Sequence, residues 1–348
     1  MNQDKKYMQR CIELALNGIG NVSPNPLVGC VIVHKGEIIG EGFHQQYGFS
    51  HAEVNAVNNV KNKELLKNSV LFVNLEPCCH QGKTPPCTDL IIKYKIPEIV
   101  IGCVDTNKKV NGKGIEILQN AGCKVSVGIL EKESIELNKR FFTFHSKKRP
   151  YIFLKWAQTL DGFMDIERSK KNQFETYWIT NEAMKTLCHK WRSEEDAIMV
   201  GTNTAIHDNP QLTVREWNGR NPIRVIIDRE LKIPKHYHIF DDSTDTLIFT
   251  NKICKSSAKT TYIQINFSKD VIHQVLHELH KRNILSVIVE GGKFLLEFFI
   301  NQNLWDEATV QVGNKIFGKG LAAPSLKIKP QFIQEINDNT LIFYRNKA

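Results

Sequence analysis

The sequence lacks the features that mark membrane, exported and disordered proteins. It has no apolar run approaching the roughly 20 residues that span a bilayer. The opening MNQDKKYMQRC places an acid among its first charges and lacks the basic start and apolar core of a signal peptide. No polar low-complexity tract interrupts the chain, and 41% of its residues are hydrophobic. We therefore expect a globular cytosolic protein.

The cysteine pattern lacks the regularity of a disulfide framework. Nine cysteines, an odd number, are spread over the whole chain, which favours free thiols and metal ligands in a cytosolic protein. The net charge of +9 favours anionic partners, but both nucleic acid and small phosphorylated substrates satisfy it. The densest basic cluster, Lys147-Lys148-Arg149, is short and is typical of a solvated linker.

The chain is long enough for two domains. Its 348 residues exceed what one compact core usually supports, and no internal repeat relates the two halves. Alternating helical and strand patterns run up to the basic cluster and restart with the strand YIFLKWAQ. We predict two dissimilar α/β domains, residues 1–146 and 147–348.

Individual elements are predicted as follows. The first half reads as a helix ended by Gly18, a hairpin with its turn at Lys35-Gly36, the helix HAEVNAVNNV, the strand SVLFVNL, the helix PPCTDLIIKYK, the strand EIVIGCV, then helix, strand and the helix EKESIELNKRFF. In the second half the predicted strands are DAIMVG, PIRVIID, DTLIFTN, TTYIQIN and SVIVEGG. The helices between them include NEAMKTLCHKWR and KDVIHQVLHELHKRN.

Four residues of the first half form a candidate hydrolytic zinc site. His51, Cys78 and Cys87 make three zinc ligands, and three ligands leave the fourth tetrahedral position for water, whereas a structural site usually has four. Zinc lowers the pKa of water towards about 7, as hydrolytic deamination requires. Glu53 is a carboxylate that can carry the proton from water to the departing ammonia without binding the metal.

The spacing of these residues predicts where the metal lies. Residues two apart on a helix do not share a face. The side chains of His51 and Glu53 can therefore both reach one ion only if it lies beyond the first turn, off the end of their helix. We therefore expect the zinc at a helix N-terminus, where thiolates are also favoured. Pro77 before Cys78 and Pro86 before Cys87 suit the same geometry.

Three blocks of the first half carry a family resemblance. SPNPLVGCVIV, EGFHQQYGFSHAE and LEPCCHQGKTPPC, in this order, resemble the deaminase half of the bifunctional riboflavin-biosynthesis deaminase–reductase family. The resemblance implies a cytidine-deaminase-like fold and substrate contacts through Asn25, His44, His80 and Lys83, which suit the base edge and a phosphate. Family members usually carry Ser where Cys79 stands, and we interpret this thiol as a tolerated neighbour of the metal.

The second half resembles the reductase half of the same family. The blocks are YIFLKWAQTLDG, YWIT, WRSEEDAIMVGTNTAIHDNPQLTVR, NPIRVIID and SVIVEGG. The resemblance implies a dihydrofolate-reductase-like fold that binds NADPH without a GxGxxG loop, and the sequence contains none. Independently, SVIVEGG followed by KFLLEFFI reads as strand, glycine turn and helix N-terminus, an arrangement that can receive a phosphate.

The resemblance also assigns residues to the reductase site. Expected NADPH contacts are Ala157, Trp178, Thr204, Asp208, Gly291, Gly292 and Phe298. Expected substrate contacts are Lys155, Thr176, Arg192, Leu212, Arg215 and Glu290. Arginine presents a fixed fork to phosphate oxygens, so Arg192 and Arg215 are the phosphate candidates. We favour Asp208 over Lys155 and Glu290 as the proton donor of the reduction. Arg229 stands where the family has Ser or Thr.

Together these patterns predict a bifunctional enzyme. The resemblance implies deamination of a diaminopyrimidinone ribosylamine 5′-phosphate, followed by NADPH-dependent reduction of the ribosyl to the ribityl chain. Two alternatives remain at this stage. A nucleic-acid base deaminase would use the basic surface but leaves the second half unexplained. A non-enzymatic module would use zinc for folding alone. The sequence leaves open whether the chain forms a homo-oligomer.

Overall fold

The computed structural model describes residues 3–107, 110–168 and 177–347. The chain divides into two compact units, Met1–Lys148 and Arg149–Ala348. Both units are α/β, as the sequence predicts. Within the described ranges, no helix is long and apolar enough to cross a membrane.

The first unit is a five-stranded sheet between helices. Its elements are α1 (Gln3–Leu16), β1 (Gly29–His34), β2 (Glu37–Phe43), α2 (Ala52–Asn59), a 3₁₀ helix (Lys63–Asn68), β3 (Val70–Leu75), α3 (Cys87–Lys93), β4 (Glu98–Cys103), α4 (Lys113–Asn120), β5 (Lys124–Val127), α5 (Glu131–Leu137) and α6 (Lys139–Lys147). The strand order is β2-β1-β3-β4-β5; β1 is antiparallel to β2 and β3, and β3, β4 and β5 are parallel.

The period of two along each strand gives this sheet two buried faces. On β3, Leu71 and Val73 point to a core that includes residues of α2, α3 and α4. Phe72, between them, points to the opposite core beside Tyr7 and Met8 of α1. Burial on both faces explains why these strands read as near-continuous apolar runs.

The predicted helix EKESIELNKRFF is wrong as one element, because Asn138 separates α5 from α6. The Asn138 side chain accepts a hydrogen bond from the Leu27 N–H at 2.8 Å and donates one to the Leu27 carbonyl at 2.9 Å. An asparagine that bonds backbone elsewhere favours a helix boundary over a helix interior. The pairing also holds the segment that carries Asn25.

The second unit contains a nine-stranded sheet. Its elements are β6 (Tyr151–Thr159), β7 (Phe163–Ile166), α7 (Glu182–Glu194), β8 (Ala197–Gly201), α8 (Thr202–Asp208), β9 (Ile223–Ile227), a 3₁₀ helix (His238–Phe240), β10 (Thr246–Thr250), β11 (Thr260–Gln264), α9 (Val271–Lys281), β12 (Ser286–Val289), α10 (Lys293–Asn301), β13 (Glu307–Gly313), β14 (Gly320–Ala322), β15 (Phe332–Ile336) and β16 (Asn339–Arg345). The order is β11-β10-β9-β8-β12-β6-β13-β16-β15, and β7 pairs with β14 separately.

The direction of the strands locates a crevice in this unit. The strands from β11 to β13 are parallel, and β16 runs antiparallel to both β13 and β15. After β6 the chain builds one side of the sheet with β8 to β11, inserts β12 between β8 and β6, and then builds the other side. In open α/β sheets such a reversal leaves a ligand crevice at the carboxyl ends of the central strands.

Candidate metal and cofactor sites

The three predicted zinc ligands come together in the first unit. His51 Nδ1, Cys78 Sγ and Cys87 Sγ lie within 4.8 Å of one another, and His51 Nδ1 is 3.4 Å from each sulfur. We call these three residues the metal cluster. His51 is the N-cap of α2, and Cys87 is the first residue of α3, so two helix N-termini meet at the cluster.

Cys78 departs from the expected helix N-terminus. Pro86 is the N-cap of α3, but Pro77 and Cys78 lie in the irregular loop after β3 and begin no helix. Gly82 and the prolines before Cys87 interrupt helical hydrogen bonding, so the next helix starts only at Cys87. The loop folds back so that the Thr88 N–H donates to the Cys78 carbonyl at 3.2 Å.

The donor chemistry of the cluster fits zinc. The Cys87 thiol hydrogen-bonds Cys78, which lowers the pKa of Cys78 to about 4 and raises that of Cys87, and His51 also lowers the pKa of Cys78. The Cys87 N–H donates to Cys78 Sγ at 3.3 Å and further stabilises the thiolate. One imidazole and two thiols are a tetrahedral zinc donor set. In the described part of the chain no fourth such ligand joins the cluster, so these three residues would leave one position of a bound zinc open to water.

Glu53 lies beside the cluster and is not part of it. It occupies the first turn of α2 with a side chain only 3% exposed. Burial raises the pKa of Glu53, and the charge of Cys78 adds to this effect. Its carboxylate also hydrogen-bonds the Cys87 thiol. A buried carboxylate with a raised pKa next to a metal ligand set is suited to taking up and releasing a proton.

The hydrogen bonds of His44 define its tautomer, and those of His51 orient its ring. The Ser50 carbonyl can only accept, so His44 donates to it from Nδ1 at 3.0 Å. His44 Nε2 is then the acceptor for Asn25 Nδ2 at 3.0 Å, and burial lowers the pKa of His44, which favours this neutral form. His51 Nε2 lies 3.4 Å from Thr84 Oγ1, which leaves Nδ1 for the metal.

The remaining predicted substrate residues of this unit lie in the loop between the two cysteines. Lys83 is exposed, with its ammonium above the ring of Tyr47. His80 Nδ1 is buried and finds no hydrogen-bond partner among the residues that the structure describes. Cys79 is half-buried, and burial raises the pKa of its thiol. Sequence reasoning missed Thr84 and Tyr47, although both stand within the blocks that carry the resemblance.

The second site lies at the carboxyl edge of the central strands of the second unit. Gly291 and Gly292 follow β12, and Gly292, at φ 75°, is the N-cap of α10. Neither glycine donates its N–H to another group in the described residues, so both N–H groups are free to bind a phosphate. A Cβ on Gly291 would lie 2.7 Å from Val200, and one on Gly292 would lie 3.2 Å from Thr204 Oγ1. These free N–H groups fit a phosphate-bearing cofactor.

A buried ionic cluster adjoins this glycine turn. Arg192 of α7 holds Glu290 in a bidentate pair, with Nε at 2.8 Å from Oε1 and Nη2 at 2.6 Å from Oε2. Burial would raise the pKa of Glu290, but Arg192 and Lys155 outweigh it and lower the pKa to about 2. Burial would also lower the pKa of Lys155, but the Cys188 thiol and Glu290 keep it raised. The side chains of Lys155, Arg192 and Glu290 are therefore all charged at neutral pH.

The segment after α8 carries two further predicted substrate contacts. Leu212 is buried and has φ 56°, a strained conformation for leucine that is typical of functional sites. The Arg215 N–H donates to His189 Nδ1 at 3.2 Å, so this nitrogen is unprotonated. Burial and the repulsion from Arg192 lower the pKa of Arg215, so a phosphate there would relieve the repulsion.

Asp208 ends α8 and forms an ion pair with a residue that the sequence did not indicate. Arg168, just after β7, donates to Asp208 at 3.2 Å and to Asp165 at 2.7 Å. Burial raises the pKa of Asp208, and Arg168 only partly opposes this.

The other predicted cofactor residues are more dispersed. Ala157 lies on β6, Trp178 is 53% exposed beside Lys185, and Phe298 packs partly against the core. Thr176 lies outside the described residues.

Comparisons with known proteins agree with this division. Residues 1–103 match the cytidine and deoxycytidylate deaminase zinc-binding region, and residues 150–340 match the RibD C-terminal domain. A riboflavin biosynthesis protein RibD of Aquifex aeolicus is 37% identical over 98% of each chain. The chain belongs to the RibD family. Membership confirms the predicted cytidine-deaminase-like and dihydrofolate-reductase-like folds and the zinc and NADPH assignments.

Two solved RibD-family structures extend the comparison to three dimensions. One is a diaminohydroxyphosphoribosylaminopyrimidine deaminase/5-amino-6-(5-phosphoribosylamino)uracil reductase of Thermotoga maritima, 37% identical, with a TM-score of 0.89 over 99% of this chain and 98% of that chain. The other is Acinetobacter baumannii RibD, 31% identical, with a TM-score of 0.87 over the same shares of the two chains. The chain is thus a deaminase–reductase of riboflavin biosynthesis, as the resemblance implied.

Proposed function

We propose that the chain deaminates 2,5-diamino-6-ribosylamino-4(3H)-pyrimidinone 5′-phosphate and then reduces the ribosyl side chain of the product to ribityl with NADPH. The observation that carries the first step is the open cluster of His51, Cys78 and Cys87 beside the buried carboxylate of Glu53. The residues 1–146 would carry the deaminase and the residues 147–348 the reductase. The substrate is that of the RibD relatives, and the residue roles are assigned from the contacts described above.

In the deaminase the protein supplies proton transfer and orientation. Bound zinc, held by the metal cluster, would activate water at neutral pH. Glu53 would carry the two protons of this water, one to the ring nitrogen as the bond from the water oxygen to C2 forms and one to the 2-amino group as the C2–N bond breaks, so that ammonia leaves and a carbonyl remains. Asn25 and neutral His44 would hydrogen-bond the base edge, and Lys83 would bind the phosphate.

In the reductase the protein binds two anionic ligands and supplies a proton. The N–H groups of Gly291 and Gly292 would hold a phosphate of NADPH, which would supply the hydride that reduces C1′. The raised pKa of Asp208 supports its role as the acid that protonates the opening sugar ring. The other proposed cofactor contacts are Ala157, Trp178, Thr204 and Phe298.

The substrate of the reductase would be held by the ionic cluster and the segment after α8. Arg192 and Arg215 would bind its phosphate, with Arg192 oriented by Glu290. Lys155 would contact the ribosyl group, and Thr176 and Leu212 complete the proposed set. Since all nine cysteines are free thiols, we place the protein in the reducing cytoplasm. We propose no nucleic-acid partner and a homo-oligomeric assembly.

A two-stage assay tests the proposal. The purified zinc-loaded protein is incubated with the diaminopyrimidinone ribotide alone and ammonia is measured; NADPH is then added and its absorbance followed. We expect ammonia in the first stage and loss of NADPH only after it. Ammonia without NADPH loss would refute the reductase half, and no ammonia would refute the deaminase half. Weak dependence of the first stage on salt is expected, because one phosphate is bound rather than a nucleic-acid backbone.

A further inference from the structure

Two loops that frame the metal cluster contact each other at one point. The first, residues 45–50, joins His44 to His51 and is exposed from residue 45 to residue 49. The second, residues 79–86, joins Cys78 to Cys87. Each loop therefore begins and ends beside a residue of the candidate deaminase site.

The contact between the loops is a cation–π interaction. The Lys83 Nζ lies 4.0 Å from the centroid of the Tyr47 ring, within the range in which the ring attracts a cation. Gly48 lies beside the lysine, since a Cβ there would be in van der Waals contact, at 3.7 Å, with both Nζ and Cδ of Lys83. The backbone of Tyr47 is anchored, because its N–H donates to the Asn21 carbonyl at 3.1 Å.

The ammonium of Lys83 is held without being neutralised. Lys83 forms no ion pair with a carboxylate in the described ranges, and its side chain remains exposed. A cation–π contact satisfies one side of the ammonium and leaves N–H donors for an anion. The next residue, Thr84, lies 3.4 Å from His51, so the held cation is one residue away from the metal cluster.

We propose that Tyr47 is a positioning and specificity residue of the deaminase, which holds Lys83 over the site mouth to receive the substrate phosphate. This inference rests on the proposed function, in which Lys83 binds that phosphate. A lysine held in advance loses less conformational freedom when the ligand binds, so the benefit appears as affinity for phosphorylated substrates. Tyr47 does not reach the reacting carbon through this contact, so kcat is unaffected.

The size of the effect follows from the exposure of the contact. Tyr47 is 41% exposed, and cation–π contacts at such sites change an affinity by about two- to fivefold. Tyr47→Ala is therefore expected to raise the KM for the ribotide about two- to fivefold at unchanged kcat. Tyr47→Phe keeps the ring face and should retain the wild-type KM. Phe49→Ala removes a neighbouring aromatic that is 62% exposed, and it serves as the matched control.

The experiment measures ammonia release with the ribotide and with its dephosphorylated ribonucleoside, and also the inhibition constant of ribose 5-phosphate. We expect Tyr47→Ala to weaken the binding of the ribotide and of ribose 5-phosphate by the same factor. The KM for the ribonucleoside should be unchanged. In a Lys83→Ala background, Tyr47→Ala should have no further effect on the KM for the ribotide. The inference would be overturned if Tyr47→Ala raised the KM for the ribonucleoside as much as that for the ribotide. It would also be overturned if the effect of Tyr47→Ala stayed the same in the absence of Lys83, or if Phe49→Ala raised the KM for the ribotide equally.

Zinc content and ammonia release from the ribonucleoside report whether the first unit of each variant is folded, because neither depends on the contact between Tyr47 and Lys83. If the wild-type chain releases no ammonia from the ribotide, the proposed function itself fails. If the wild type releases ammonia and the Tyr47 variants behave as wild type towards both phosphorylated ligands, only the role of Tyr47 fails.

Discussion

The buried ion pair between Arg192 and Glu290 allows a quantitative prediction for the second unit. The two side chains are 13% and 8% exposed and are joined by two short hydrogen bonds. Glu290→Gln removes the negative charge but keeps the shape, and it leaves both Arg192 and Lys155 as uncompensated buried cations. Breaking a buried pair in this way costs about 3 to 5 kcal/mol of unfolding free energy. For a unit of this size, that cost corresponds to a fall in Tm of about 6 to 20 °C.

Calorimetry on the full chain measures this loss, and ammonia release shows whether the first unit is intact. Arg192→Met is the companion variant, and it leaves Glu290 as a buried anion beside Lys155. Because the two residues contact each other, their substitutions should not be additive. The double variant Arg192→Met, Glu290→Gln should lose at least about 1 kcal/mol less unfolding free energy than the two single variants lose in sum. A loss below about 1 kcal/mol for Glu290→Gln, or simple additivity, would refute the reasoning.

Two further predictions concern one residue in each unit. Burial raises the pKa of Asp105 to about 6 from 3.8, so its ionisation destabilises the fold progressively as pH rises through this interval. Asp105→Asn should raise the unfolding free energy of the first unit by up to about 3 kcal/mol at pH 8 and by roughly half as much at pH 5. Thermal unfolding measures this gain, and an equal gain at both pH values would contradict the prediction. Gly291→Ala places a Cβ 2.7 Å from Val200. It should lower the unfolding free energy of the second unit by about 1 to 3 kcal/mol and raise the KM for NADPH. Gly201→Ala, whose Cβ meets no atom within 4 Å, is the stability control, and equal losses in the two variants would count against the steric argument.

The candidate sites differ in how far the sequence predicts them. His51 and Glu53 stand in one short motif, so their placement at the start of α2 follows from local helix geometry. Cys87 is also placed by a local signal, the prolines before it. Cys78 sits in a loop whose path depends on tertiary contacts, and propensity alone wrongly placed it at a helix start.

The ionic cluster of the reductase shows the limit more clearly. Arg192 and Glu290 are 98 residues apart, and no periodicity relates a helix residue to a residue at a strand end. Arg168 and Cys188 contact Asp208 and Lys155 only after the sheet has formed, and each looks ordinary in its own segment. The resemblance supplied the first pair without predicting the bond between its members.

The strands of the fold were also predicted only where the local sequence carries a clear signal. Strands buried on both faces, such as β4 and β10, are predicted because their apolar runs are continuous. The strands β13 to β16 were not predicted. β13 is buried, but Glu307, Thr309 and Gln311 interrupt its apolar run. β15 is exposed along most of its length at the edge of the sheet. An edge strand with little buried surface gives only a weak period-two signal.

The most direct test of two independent activities on one chain is the variant Glu53→Gln. It removes the proposed proton carrier and leaves His51, Cys78 and Cys87 in place. We predict that ammonia release falls at least about 100-fold, while the zinc content stays at one per chain and NADPH oxidation on separately deaminated substrate is unchanged. Ammonia release at the wild-type rate would contradict the role of Glu53 and with it the deaminase site. Loss of NADPH oxidation would contradict the independence of the two activities.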